Sequence, residues 1–324
     1  MFARCCSVKT WLVALSLSFS AVASAAYPDH SIRVILPYAA GAAGDIVFRM
    51  LQPGLAKELG QPVILDYKSG AGGNIGTQEV VRAAPDGYTL LLGATNNFVI
   101  NQFLYKGMSY DPSKALVPIA KVVDVPAFIY LNASVPAHNF AELKSYAEKH
   151  PGVLNYGTPG AGTTPALSGW MLSEAIHGNM TAVTYRGSAP GVQALLANQI
   201  QVYIGGYGIA SAYLPSGKLR VLAVALPERF AALPSVPTTK EVGIGSAVVS
   251  NWWGMAAPKG TPAPIVERVE QALHTVLSDP AIQKKLQDQG FVVSLESTAT
   301  FKANLRKEAP YWEDVIKRSG VVIN

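Results

Sequence analysis

The 324-residue sequence has two cysteines and five histidines, and both cysteines, Cys5 and Cys6, fall within its first ten residues. From residue 7 onward the chain is free of cysteine, which excludes disulfides and Cys-ligated metals there. The histidines, His30, His138, His150, His177 and His274, are not paired at metal-ligand spacing, so no metal site is assigned. A Gly-x-Ser-x-Gly elbow is also missing: Gly187-Ser-Ala-Pro-Gly191 puts its serine one position too early. No acid–base carboxylate pair is recognisable, so no catalytic residue is assigned, although a triad assembled only in space stays open. Lys and Arg form no run, which removes the electrostatic footprint of a nucleic-acid binder.

Long apolar runs are equally scarce. The one near the N-terminus, 11–23, follows Arg4 and Lys9 and precedes the small residues Ser24-Ala-Ala26. That order is expected of a cleavable signal peptide over residues 1–26, and the run is too short for a membrane span. The whole chain carries 26 basic and 21 acidic side chains. Setting aside Arg4 and Lys9 leaves 24 basic residues, a mild positive balance on an exported chain of about 298 residues, long enough for two domains.

What is present is an alternation of short apolar runs with helical patterns. Strands are expected at 32–36, 63–66 and 88–93, with helices over 45–59 and 76–84 and a polar loop at 94–97. Pro53 is expected to kink the first helix or delay its start. A second set has strands at 127–131, 154–156, 182–185, 202–204 and 219–225, with helices at 140–149, 165–176 and 188–197. A third part opens with an aromatic strand, 249–255, followed by helices at 264–277, 280–289 and 298–319. This alternation implies an α/β fold with mainly parallel sheets. Two sequential domains and one lobe interrupted by another fit the periodicity equally.

The strand ends carry small residues. Leu36-Pro-Tyr-Ala-Ala-Gly-Ala-Ala-Gly-Asp45 leads from a strand into a helix without a cation, so backbone N–H groups could hold an anion there. A plain tight turn with Asp45 as helix cap fits as well. Loops at 70–76, 95–97, 157–164, 187–188 and 205–208 repeat the feature, and ligands of open parallel sheets bind beyond such strand ends. Gly70-x-Gly72-x-x-x-Gly76 is a poor dinucleotide fingerprint, because no acidic residue follows about 20 positions on. No cofactor is assigned. Tyr38, Phe98, Tyr185, Tyr207, Trp252 and Trp253 sit in or beside these loops as candidate pocket walls.

Matched in order, several segments resemble the Bug-type extracytoplasmic solute receptors of tripartite tricarboxylate transporters. They are Leu36-Pro-Tyr-Ala-Ala-Gly…Asp45, Leu59-Gly-Gln-Pro-Val63, Gly70-Ala-Gly-Gly-Asn-Ile-Gly76 and Ala84-Pro-Asp-Gly-Tyr-Thr-Leu90. Tyr110-Asp-Pro112, Tyr185-Arg-Gly-Ser-Ala-Pro190, Leu233-Pro-Ser-Val-Pro-Thr238 and Ala257-Pro-Lys-Gly-Thr-Pro262 continue the series. The resemblance implies a periplasmic binding protein-like fold of two lobes with mixed, mainly parallel sheets, joined by two crossing hinge strands. It implies one lobe from 27–122 plus 248–324 and the other from 123–247. It further implies a periplasmic, monomeric receptor, not an enzyme, that closes on a small carboxylate and delivers it to membrane permease subunits. A sensing receptor of the same fold, or a periplasmic hydrolase, are the alternatives.

The resemblance assigns ligand contact to Tyr38, Gly41, Ala42, Ala43, Gly44 and Asp45 in the first lobe, and to Gly160, Ala161, Gly162, Thr163 and Thr164 in the second. Thr95, Asn96, Asn97, Gly187 and Ser188 are expected as further lining. Asp45 is expected to organise its loop, since a carboxylate facing an anionic ligand would repel it. The chain departs from the family pattern at 41–45, which lacks extra glycines and a threonine, and at Ala166, where a polar residue is common. Gln201 and Gly205 stand where aspartates are frequent. Loss of an acid at Gly205, with Gly206 and Tyr207 beside it, argues against an amino-acid ligand and for room for a bulkier or aromatic carboxylate.

Overall fold

The computed structural model describes residues 27–160 and 162–323. The expected signal peptide, Ala161 and Asn324 lie outside the described residues. Among the described residues eleven strands form two sheets. They are β1 Ile32–Leu36, β2 Val63–Tyr67, β3 Thr89–Ala94, β4 Leu116–Val125, β5 Phe128–Asn132, β6 Asn155–Thr158, β7 Thr181–Thr184, β8 Val202–Gly205, β9 Leu219–Val224, β10 Asn251–Pro258 and β11 Val292–Glu296. Between them run α1 Ala43–Leu59, α2 Asn74–Val81, α3 Asn101–Leu104, α4 Pro112–Ala115, α5 Phe140–Lys149, α6 Thr164–Ala175, α7 Ser188–Leu196, α8 Ala263–Leu277, α9 Pro280–Asp288 and α10 Thr298–Ser319.

The strand order is β11-β4-β10-β3-β1-β2 in one sheet and β7-β6-β8-β5-β9 in the other. The first sheet therefore draws strands from both ends of the chain, and the second is built wholly from the middle. β4 and β10 pair antiparallel, Asn251 opposite Val125, where the chain leaves the first sheet and returns to it. The sheets are mixed. Four pairings are parallel (β1 with β2 and β3, β6 with β7 and β8) and five antiparallel. Antiparallel pairing thus exceeds the expectation, because an outgoing and a returning crossing strand laid side by side must run in opposite directions.

Helix α1 shows how the pattern builds a layer. Val47, Phe48, Leu51, Leu55 and Leu59 form one buried face against β2, β3 and α8, and each side chain so buried contributes roughly 1.5–3 kcal/mol of transfer free energy. Pro53 neither breaks nor delays the helix, which starts at Ala43: it lies on the exposed side, where the loss of one N–H is tolerated. Gly60, at φ 73°, ends it in the left-handed conformation.

Several elements were not anticipated, the short helices α3 and α4 among them. The segment 94–97 is not a loop, because from Asn96 the chain turns helically and runs on into α3. β4 and β11 lie side by side at the crossing, and their charged residues satisfy one another there. Lys121 meets Asp124 at 2.9 Å and Glu296 at 3.4 Å.

Candidate functional site

Between the sheets lies a cavity of about 210 Å³. The first sheet and its loops contribute Tyr38, Gly72, Ala94, Asn96, Asn101, Leu104, Tyr105, Asn251 and Trp253, and the second side contributes Pro159, Gly162, Thr163, Thr164 and Pro165. Asn96 crosses the gap. Its Nδ2 donates to the Gly162 carbonyl at 3.0 Å, and its Oδ1 accepts from the Thr164 hydroxyl at 3.2 Å. Gly162 also packs closely on Leu104, which a Cβ there would overlap.

The first jaw is the β1–α1 loop. Asp45 is buried and binds three donors: the Gly41 N–H at 2.8 Å, Arg49 Nε at 2.7 Å and the Tyr67 hydroxyl at 2.7 Å. Burial opposes the charged carboxylate, but these donors outweigh it and hold Asp45 below the usual carboxylate range. The expected N-cap role needs correction. Ala42 occupies that position without a side-chain cap, and Asp45, in the first turn, reaches back to the N–H of Gly41, one residue before the N-cap. Among the described residues the Ala43 and Gly44 N–H groups have no acceptor within the protein. Gly44 is required by packing, since a Cβ would overlap the Trp253 ring. Trp253 in turn meets Tyr38 edge-on, with ring centroids 5.3 Å apart.

The second jaw is the β6–α6 loop. Thr163 is the N-cap of α6: its hydroxyl accepts from the Ala166 N–H at 3.4 Å and donates to the Gly160 carbonyl at 2.8 Å. Pro165 removes one N–H from the first turn at no cost, as proline does there.

Behind the cavity, polar side chains brace the wall. Thr95 donates to Asn251 Oδ1 at 2.8 Å and accepts from the Trp252 N–H at 3.1 Å. Asn97 Oδ1 accepts from Tyr38 at 3.2 Å and from the Ala94 N–H at 2.9 Å. Burial pushes the Tyr38 phenol far above its usual range, so it acts as a neutral donor. The glycines at 70–76 serve close approach. A Cβ at Gly73 would overlap Asn97 Nδ2, and Asn101 donates to the Gly72 carbonyl at 3.0 Å.

Of the residues expected in the site, Tyr38, Asn96, Gly162, Thr163 and Thr164 line the cavity. Gly44 packs on the lining residue Trp253, whereas Gly41, Ala42, Ala43 and Asp45 do not line the cavity; Gly160, Thr95 and Asn97 support its walls. Gly187 and Ser188 open α7 and do not line it. Nor do Gly205, Gly206 and Tyr207. A Cβ on Gly205 would overlap Ile209, so the missing acid opens no room, and Tyr207 packs on Phe128 and Phe230. Among the aromatic candidates Tyr38 and Trp253 form a wall, whereas Phe98 and Trp252 pack into the core with Phe301. Asn101, Leu104, Tyr105 and Asn251 were missed. Asn101, Leu104 and Tyr105 lie in a segment the local pattern did not mark, whereas Asn251 lies in the expected aromatic strand, and no spacing signal points to any of the four.

A sequence family described as the tripartite tricarboxylate transporter family receptor matches residues 47–322. The chain belongs to this receptor family. The periplasmic binding protein BugD is 34% identical, with a TM-score of 0.78, over 91% of this chain and 99% of its own. MatC from Rhodopseudomonas palustris, with malate bound, is 30% identical, with a TM-score of 0.77, over 90% of this chain and 100% of its own. R. palustris Rpa4515, with adipate, is 29% identical, with a TM-score of 0.81, over 91% and 99%. The receptor resemblance read from the motifs is therefore correct, as is the two-lobed α/β fold that it implied. Among the described residues no helix is long and apolar enough to cross a membrane.

Proposed function

We propose that this chain is a periplasmic receptor that binds a small organic carboxylate between its lobes, without turnover, and hands it to membrane permease subunits. The observation that carries this reading is the Asn96 amide, which engages Gly162 and Thr164 across the gap beside a cavity lined by uncharged donors. In this reading residues 27–122 with 248–324 form one lobe and 123–247 the other, and the chain acts as a monomer after loss of residues 1–26. The helix N-termini at Ala43 and Thr164, with the Thr163 and Thr164 hydroxyls, supply donors for the carboxylate, as helix starts do for anions. Asp45 stays out of contact with the ligand, its charge matched by Arg49.

A ligand touching both jaws gains contacts only in the closed form and so shifts the population toward it. Moving that equilibrium from 1:99 to 99:1 takes about 5.5 kcal/mol of differential affinity, which a charged ligand held by several N–H and O–H donors can supply. The malate in MatC and the adipate in Rpa4515 support a carboxylate as the ligand class. The test is native mass spectrometry of protein purified from its own host, with the released small molecule weighed after denaturation. A retained organic acid, unchanged after incubation with the protein, is expected. Chemical conversion of that acid, or retention of a ligand with no acidic group, would overturn the reading.

A further inference from the structure

The chain leaves α10 through Gly320, whose left-handed φ of 66° ends the helix and turns the backbone. Val321 and Ile323 pack on the core that holds Phe98, Leu104 and Met171, and Val322 between them is exposed. That is the in–out alternation of a short strand. Its partner is Tyr105. The Ile323 N–H donates to the Leu104 carbonyl at 2.9 Å, and the Lys106 N–H donates to the Ile323 carbonyl at 3.0 Å. Leu104 closes α3, where a helix leaves carbonyls without an internal donor, and Ile323 supplies one. Leu104 and Tyr105 both line the cavity, whereas Ile323 stands behind them.

The Ile323 side chain also meets the opposite jaw. Gly162 lies so close that a Cβ would overlap Leu104 and come within 3.1 Å of Ile323 Cδ1. The same glycine offers its carbonyl to Asn96. Gly162 is thus held by a polar clip and an apolar seat, both from the far side of the gap. We infer that Ile323 is a positioning residue of the site. Its backbone fixes Leu104 and Tyr105 on the wall, and its side chain, with Leu104, forms the seat on which Gly162 of the second jaw comes to rest. That this wall belongs to a ligand site rests on the carboxylate-receptor reading, whereas the seat rests on packing and hydrogen bonds alone.

The test is hydrogen exchange of the parent, Ile323→Ala and Ile323→Leu, without added ligand. Alanine keeps the backbone bonds and empties the seat; leucine refills it. In Ile323→Ala the amides of Thr163, Ala166 and Leu167, across the gap, are expected to exchange about tenfold faster, as local opening allows, with near-parental rates in Ile323→Leu. Faster exchange confined to residues 104–106, or spread evenly over the chain, overturns the seat. Gly162→Ala gives the reciprocal reading: its Cβ is expected to lift the jaw and speed exchange at the Lys106 amide, and an unchanged Lys106 rate also overturns it. Native mass spectrometry then separates the seat from its use. The fraction of protein retaining an organic acid from its host should fall several-fold in Ile323→Ala and recover in Ile323→Leu; equal retention in all three overturns the positioning role. A parent that retains no acid counts against the receptor reading, and exchange alone then decides the seat.

Discussion

The two jaws of the cleft reach similar shapes by different means. In the β1–α1 jaw the organiser is an internal charge, Asp45, bonded to Gly41, Arg49 and Tyr67, all within its own lobe. In the β6–α6 jaw the organisers are hydroxyls. Thr163 ties the loop to its own helix, but Thr164 and Gly162 are completed by Asn96 from the other sheet. In the proposed open–closed cycle the first jaw would keep its bonds in both states, while the second would gain part of its hydrogen bonding only on closure.

The severest way to break this comparison is to displace the first jaw from its support. Gly44→Val would force the α1 start away from Trp253; overpacking of this kind costs about 1–3 kcal/mol. We expect that loss in urea unfolding together with abolished ligand binding, and retained affinity would show that the jaw does not depend on this seat. Next in size, Asp45→Ala removes the tie to Gly41 and leaves Arg49 without its carboxylate partner. A loss of about 1–2 kcal/mol in stability, the range for helix-start carboxylates and caps, is expected with weaker ligand binding. Unchanged stability and affinity would remove Asp45 as the organiser.

Asn96→Ala tests the other jaw. It deletes two cross-lobe hydrogen bonds, each worth about 0.5–1.5 kcal/mol. Ligand affinity should fall about tenfold, and small-angle scattering of the free protein should show a more open average. An equal fall in unfolding stability with no change in closure would instead make Asn96 a core residue.

The smallest effect is in pH dependence. The Asp45 pKa is depressed in the fold, so its contribution is present above the unfolded value of about 3.9 and is lost as pH falls through the lower, folded value. Burial pushes Glu308 the other way, even though it accepts from Trp252 Nε1 at 3.2 Å. Its stability contribution declines as pH rises from the ordinary carboxylate range through the raised value. Acid titrations of Asp45→Asn and Glu308→Gln against the parent should therefore deviate with opposite sign. Deviations of the same sign would contradict one of the two environments.

Much of this was legible along the chain. Periodicity identified α5 and α10 at their observed bounds, and the small-residue strand ends marked both jaws, because helix spacing, proline at a first turn and glycine at a strand end are local signals. Ordered motifs identified the family. Other features depended on partners far along the chain. β4 was hidden because Pro118, Lys121 and Asp124 interrupt its apolar run, and Lys121 becomes tolerable there only beside Asp124 and Glu296. Thr95, Asn96 and Asn97 read as a loop because they are polar. In the fold they are braced by Asn251, Gly162, Thr164 and Tyr38, from 59 to 156 positions away. The sequence by itself determined that there are small, uncharged strand ends suited to an anion, and to which family they belong. Only the tertiary structure decided which of them meet: the 205–207 end is filled by Ile209 and its neighbours, and Trp253 and Asn96 enter the cleft. The physical reason is that hydrogen-bond satisfaction and close packing are properties of neighbours in space, and a local pattern encodes a residue's preference but not its partner.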